Sequence, residues 1–278
     1  NDIYKVIAGE QAFMLRVSPY GSRVDYVEGE VDLLHGLAKT ALSAPRPIKT
    51  IDDSYVWLLE APEGRRVAVL FEYLAGVPVR WAVDASASRA LGRACARLHD
   101  WADQEDIRYK RPTIGPESLL DVSMERLEHL DVLGADEFEW VKSLVDMLRP
   151  HLAALGQEAP AYGLCHGDIH HANALLHNGA IALLDFDVCG YGYRVYDLAT
   201  YKASVWNEAL QTAFLAGYET VRKISEAESQ VMPYFVAARQ IWVLGHIALG
   251  AEMSGRIWAV DRLKSILDHL RGLAEGLE

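Results

Sequence analysis

The chain has 278 residues, 51% of them hydrophobic and 24% charged, a globular composition that is neither disordered nor membrane-like and is long enough for one large domain or two lobes around a cleft. Its net charge of −12, from 27 Lys+Arg against 39 Asp+Glu, sets it against nucleic acid and acidic membrane surfaces and leaves room for a cationic small ligand. Three cysteines, Cys95, Cys165 and Cys189, form no close pair, which argues against a disulfide framework or a CxxC metal site and fits a reducing cytoplasm.

In chain order, two short apolar runs come first. Ile3 to Ile7 and Ala12 to Val17 flank Ala8-Gly9-Glu10, a hairpin pattern. In the second run Phe13, Leu15 and Val17 share one face, and Met14 and Arg16 the other. Val24 to Lys39 reads as a helix that puts Glu30 on the same face as Leu33, Leu34 and Leu37. A carboxylate on an apolar face calls for a cation. Tyr55 to Glu60 and Arg65 to Phe71 read as a second strand pair, and Glu72 to Pro78 as a connector. The remainder reads as mainly helical: Ala87–Trp101, Phe138–Leu155, Glu208–Lys223, Glu226–Gly250 and Ile257–Leu273. One β island interrupts it, where Ala174 to His177 and Ala180 to Leu184 flank Asn178-Gly179. The most apolar long stretch, Val231 to Ala251, contains Pro233, Arg239, Gln240 and His246, so it reads as a core helix and not a membrane span. No signal-peptide pattern is present, and a cytoplasmic location is expected.

The chemistry concentrates in Leu164-Cys165-His166-Gly167-Asp168-Ile169-His170-His171-Ala172-Asn173 and, after the hairpin, Leu184-Asp185-Phe186-Asp187. Phosphoryl transfer needs a carboxylate to orient and deprotonate a hydroxyl, oxygen ligands for a metal on the phosphates, and positive charge against the rest. Asp168 and Asn173 lie five residues apart, and the hairpin returns the chain to Asp185. That is the spacing of kinase catalytic loops.

With Leu-Leu-Asp-Phe-Asp and Tyr196-Asp197-Leu198-Ala199 following, this run resembles the aminoglycoside phosphotransferase and choline kinase-like superfamily, which includes type II homoserine kinases and methylthioribose kinases. Arg16 in its strand, Glu30 in its helix, Phe71-Glu72-Tyr73-Leu74 and the stretch from Leu91-Gly92 to Leu98-His99 extend the likeness over nearly the whole chain. The resemblance implies an α+β, protein-kinase-like two-lobe fold. A nucleotide-binding lobe would span residues 1–75, with its first strand and phosphate loop upstream of Asn1, and a helical lobe residues 76–278. It implies ATP and Mg²⁺ as cofactors and a small hydroxyl-bearing substrate. Asp168 would be the base, and Asn173 and Asp185 the metal ligands. Arg16 would touch the phosphates and pair with Glu30, and backbone near Glu72 and Leu74 would hold adenine. His166 and Asp197 would organise the loop. Arg16 stands where Lys is more usual, and Asp187 where protein kinases have Gly. Asp187 is left open between metal, substrate and a turn cap.

Other readings stay beside this one: a Ser/Thr protein kinase of the bacterial stress-kinase type, a nucleotide-binding pseudokinase or scaffold, and a metal-dependent hydrolase. The adjacent His170 and His171 cannot easily face one zinc ion, and no ligand-spaced Cys or His accompanies them. Trp206, Trp242, His246 and Trp258 are read as core packing before pocket lining.

Overall fold

A computed structural model describes residues 1–105, 108–130, 132–177, 179–254 and 257–277, without the side chains of 251–260. In chain order the elements are β1 (Asp2–Ala8), β2 (Gln11–Val17), α1 (Val24–Leu37), β3 (Pro47–Ile48), β4 (Trp57–Ala61), β5 (Gly64–Glu72), β6 (Val77–Pro78) and α2 (Ala85–Gln104). There follow β7 (Thr113–Ile114), α3 (Val122–Leu130), α4 (Ala135–Leu152), β8 (Tyr162–Cys165), β9 (Ala174–His177), β10 (Ala180–Leu183) and β11 (Gly190–Tyr193). The chain ends in α5 (Val195–Ser204), α6 (Glu208–Tyr218), α7 (Glu226–Ser254) and α8 (Ile257–Ala274). The α+β expectation holds. Among the described residues no helix is long and apolar enough to cross a membrane.

Packing divides the chain into two compact units. The first comprises residues 1–112, 170–189 and 212–222, and the second 113–169, 190–211 and 223–278. These units cut across the lobe boundary read from the sequence after residue 75.

In the first unit, β1, β2, β5 and β3 lie side by side and β4 also pairs with β5. Ala8 pairs with Gln11, so Gly9 and Glu10 alone make the β1–β2 turn. Gly9 has φ +61, a left-handed conformation that glycine adopts without a Cβ clash. Helix α1 buries Val31, Leu33, Leu34 and Leu37, while β5 buries Val67, Val69 and Phe71. A separate small sheet orders β10-β9-β6, so the expected connector contributes a strand at Val77–Pro78. Asn178, half of the predicted hairpin turn, lies outside the described residues.

The second unit corrects the expectation of a single β island. Strands β7, β11 and β8 form another sheet, with β11 parallel to β7 and antiparallel to β8. Its strands of two and four residues come from stretches centred near residues 113, 163 and 191, and no local periodicity announces such long-range pairing. The helices α4, α5 and α7 supply Val141, Leu148, Leu198, Tyr201, Phe235 and Ile241 to the core of this unit.

Glycine sets one helix crossing in the first unit. A Cβ on Gly92 of α2 would lie 1.9 Å from the Phe214 carbonyl oxygen, and one on Gly217 of α6 1.9 Å from that of Arg89. Alanine improves helix propensity by about 1 kcal/mol over glycine, but overlap with backbone atoms cannot be relieved by a rotamer change. Overlap wins: Gly92→Ala or Gly217→Ala is expected to lower the unfolding free energy by about 1–3 kcal/mol or more in urea titrations. Gly272→Ala in α8, where nothing lies within 4 Å, is expected to raise it slightly.

Candidate active site

Two constellations carry the candidate chemistry, one in each unit. In the first, Arg16 sits on β2 opposite Val69 of β5, on the same strand face as Met14. Its guanidinium grips Glu30 of α1 with both forks, Nη1 to Oε1 at 2.7 Å and Nη2 to Oε2 at 2.6 Å. Both side chains are buried, at 5% and 2% exposure, so neither charge is tenable alone. Burial opposes the charge on Arg16. The carboxylate of Glu30, its hydrogen bonds and the fields of Asp187 and Asp185 outweigh it, and the guanidinium pKa is raised. Arg16 has five N–H donors and Glu30 takes two, which leaves three, including a buried Nε with no partner.

The hairpin explains how Asn173 meets Asp185. Leu183 pairs with Ala174 in the last rung, and the next step is a hydrogen bond from Leu184 N to Asn173 O at 2.9 Å. The two predicted metal ligands thus leave the paired strands at the same end. Asp185 then takes φ +61, a left-handed conformation that aspartate tolerates better than most residues. The segment beyond it is pinned by Arg111, which is buried. Its Nε donates to Cys189 O at 2.9 Å and its Nη2 to Phe186 O at 3.0 Å, with further bonds to the carbonyls of Asp187 and Tyr26. Ser88 of α2 meets the buried His171 ring at 3.2 Å, which anchors the 3₁₀ turn His171–Asn173.

These elements border a cavity of about 440 Å³, within the usual range of small-ligand pockets. Its lining includes Arg16, Glu30, Glu72, Leu74, Asn173 and Asp185 among apolar neighbours such as Met14, Leu175 and Phe186. Asp187 is not part of this lining and accepts a hydrogen bond from Asn1 Nδ2 at 2.7 Å.

The second unit holds the loop His166-Gly167-Asp168. The buried carboxylate of Asp197 on α5 accepts from the backbone N–H of His166 at 2.8 Å and of Gly167 at 2.7 Å. Gly167 has φ +82, which a side chain would strain, and Asp168 N donates to His166 Nδ1 at 3.3 Å. Arg239 of α7, also buried, closes the loop from the other direction. Its Nη1 donates to Gly167 O and to the Tyr196 hydroxyl, each at 3.2 Å, and its Nη2 makes an ion pair with Asp168 Oδ1. Its Cζ lies 4.1 Å from the Trp242 ring centroid.

Sequence reading found Asp168 but not its arginine. The available signal was a charged residue inside the most apolar stretch of the chain. Arg111 carried no such signal, because its partners are carbonyls. Of the aromatic candidates, Trp206 is 62% exposed and stacks on His269 at 4.5 Å, while Trp242 packs on His246 at 3.5 Å between centroids. The side chain of Trp258 lies outside the described residues.

His246 is pressed toward neutrality. Burial is the largest cause, the positive charge of Arg126 the next, and its pKa falls from 6.5 to about 4.

Comparison with known proteins adds lineage to this geometry. Residues 1–234 match the model of the phosphotransferase enzyme family. An uncharacterized protein of Deinococcus radiodurans is 32% identical over 275 residues, covering 92% of this chain and 78% of that protein. Among solved structures, a microcompartment-associated aminopropanol kinase superposes with a TM-score of 0.85 at 24% identity, over 98% of this chain and 88% of its own. The amicoumacin kinase hAmiN, in complex with AMP-PNP, Ca²⁺ and Ami, superposes with a TM-score of 0.80 at 22% identity, over 96% and 84%.

Because the folded pKa of His246 is depressed, its stabilising contribution is complete above about pH 6.5 and is lost as pH falls toward 4. NMR titration of the imidazoles, with His246→Gln for assignment, is expected to place His246 near 4. Arg126→Gln is expected to raise that midpoint only part of the way, since burial remains. A wild-type midpoint near 6.5 would refute the electrostatic picture.

Proposed function

This chain belongs to the phosphotransferase enzyme family, and on that premise we propose that it transfers the γ-phosphate of ATP to the hydroxyl of a small molecule. The fold is the protein-kinase-like α+β arrangement of its relatives. One observation carries the proposal: a single cavity gathers a firmly protonated arginine, two oxygen-bearing side chains on adjacent hairpin ends and the backbone at Glu72–Leu74, where β5 ends. Those are the requirements for phosphates, for a hard divalent cation and for a nucleobase. The residues fit a metal–nucleotide complex. Asn173 and Asp185 offer the carbonyl and carboxylate oxygens that Mg²⁺ prefers, and Arg16 keeps donors beyond those Glu30 uses. The hAmiN complex supports nucleotide and divalent-cation use in this fold. When bound, the cation neutralises charge on the phosphates.

The roles of this chain's residues follow. Arg16, held by Glu30, faces the phosphates without freedom to swing away. Backbone of Glu72 and Leu74 holds the base. Asp168 accepts a hydrogen bond from the acceptor hydroxyl and takes its proton as the new P–O bond forms. Arg239 holds Asp168 in place through their ion pair. In a loose phosphoryl-transfer transition state the hydroxyl loses its proton late, and positioning does most of the catalysis. Asp197 and His166 hold the loop that presents Asp168. The division into a nucleotide-binding stretch, residues 1–75, and a remainder carrying the catalytic loop is part of the same proposal.

Asp168→Asn, which leaves an oxygen acceptor for the buried Arg239, is expected to lower turnover by roughly 10²–10⁴-fold while the circular dichroism spectrum stays that of the folded chain. Full activity in that variant would remove Asp168 from the role of base. Thermal-shift titration should show stabilisation that needs ATP and Mg²⁺ together and that Asp185→Asn abolishes. An unchanged shift in Asp185→Asn would place the metal elsewhere.

A further inference from the structure

The face of α7 that begins at Arg239 continues beyond Asp168. Arg239, Trp242 and His246 recur at three- and four-residue spacing and share that face. The Arg239 guanidinium covers the Trp242 ring at 4.1 Å, and the rings of Trp242 and His246 lie 3.5 Å apart at 30°. A column of cation, indole and imidazole therefore runs along roughly 10 Å of helix, seven residues at about 1.5 Å each.

Helix α3 delivers a second arginine to the far end. A Cβ on Gly245 would lie 2.8 Å from Ser123 Cα, so the absent side chain is what lets α3 and α7 approach. Arg126, one turn on from Ser123, thereby brings Nη1 to 3.4 Å from His246 Nδ1. That approach satisfies at most one of the five guanidinium N–H groups. Nδ1 also lies 3.2 Å from the carbonyl oxygen of Trp242, which can only accept. Nδ1 cannot serve both partners: it either accepts from Arg126 or donates to Trp242. No carboxylate among the described residues lies within ion-pairing distance of Arg126, and burial pushes its pKa down. A half-buried cation with no carboxylate beside it is an open place for an anion. In the tautomer that donates to Trp242, the neutral imidazole keeps its Nε2 lone pair for a donor.

We infer that Arg126 and His246 form the anion-recognising end of the acceptor site, and that the phosphorylated molecule is a hydroxy amino acid carrying one carboxylate. The inference rests on the reading of Asp168 as the group that receives the acceptor hydroxyl. The charge count selects the class. Arg239 is committed to Asp168, and His246 is neutral. One cation remains, which matches a monoanionic carboxylate better than a dianionic phosphate. In the tautomer that donates to Trp242, the Nε2 lone pair suits the ammonium of an amino acid. In the reaction the β,γ-bridging P–O bond of ATP breaks and a P–O bond to the acceptor oxygen forms. The hydroxyl proton passes to Asp168 and then to solvent, ADP departs, and the carboxylate is unchanged.

Three matched pairs differ only in the carboxylate: L-serine and ethanolamine, L-threonine and 1-amino-2-propanol, L-homoserine and 3-amino-1-propanol. ADP release with each, beside calorimetric binding of each, tests the inference in the intact chain and in Arg126→Gln and Arg126→Lys. The expected result is a wild-type kcat/KM favouring at least one acid over its amino alcohol by about tenfold or more. That preference should collapse in Arg126→Gln and partly survive in Arg126→Lys, with the ATP-dependent thermal shift retained in both. Amino alcohols used as well as their acids, or an Arg126→Gln variant that slows both members of a pair equally, would overturn it. So would the absence of both binding and turnover for all three acids. Acid binding that Arg126→Gln abolishes, without turnover of any compound, would uphold the anion site and instead defeat the kinase reading.

Discussion

A guanidinium taken out of water has to find acceptors, and the loops of the candidate site lie where the chain's buried arginines find theirs. Arg16 takes the carboxylate of Glu30 and fixes β2 to α1. Arg111 takes carbonyls of Phe186, Asp187 and Cys189 and fixes the segment after Asp185. Arg194 takes the Leu164 carbonyl just ahead of the His166-Gly167-Asp168 loop. Arg239 takes Gly167 O and Asp168 within that loop. Each is nearly inaccessible to solvent. The stability gained from such groups is small, because desolvation offsets most of the attraction. What they enforce is position. A loop whose carbonyls are bound to a buried guanidinium cannot shift without stranding a charge.

That logic also explains what could be read in advance. The hairpin at Ala174–Leu183, the opposed faces of β2 and the carboxylate among the leucines of α1 follow from local spacing, and spacing is visible in one dimension. The motif from His166 to Asp187 was legible for the same reason. Arg16 and Glu30 were pairable because each is a lone charge on an apolar face, and a lone charge implies a partner. Arg239 satisfied that criterion too. Its partner, however, lies 71 residues away in the His166-Gly167-Asp168 loop, and a helix otherwise so apolar was read only for what it is not. Arg111 and the sheet of β7, β11 and β8 lay beyond reach. The acceptors of Arg111 are main-chain oxygens that any sequence has, and the sheet joins strands of two to four residues across nearly 80 positions.

Electrostatics at the two ends of the α7 column differ in a way that bears on specificity. At Arg239 the cation has met a carboxylate and a phenol hydroxyl, and its charge is spent on holding Asp168. At Arg126 the neighbouring acceptor is an imidazole whose facing nitrogen also lies against the Trp242 carbonyl and offers at most one lone pair. The α7 column thus carries its own cation, Arg239, paired with a carboxylate at one end, and meets Arg126 of α3, which has no carboxylate beside it among the described residues, at the other. An acceptor that brings its own carboxylate completes the second.

The overall charge of −12 would suggest the opposite preference, for a cationic acceptor. Net charge acts through screened, long-range fields that decay over about 10 Å at ordinary salt. A half-buried arginine acts on whatever touches it, in a medium where its field is far stronger. The acidic surface therefore biases which molecules approach, and the local cation decides which one is held. A hydroxy amino acid satisfies both constraints, because its ammonium suits the first and its carboxylate the second. A simple amino alcohol would leave Arg126 as it now stands, half-buried and with no carboxylate beside it among the described residues.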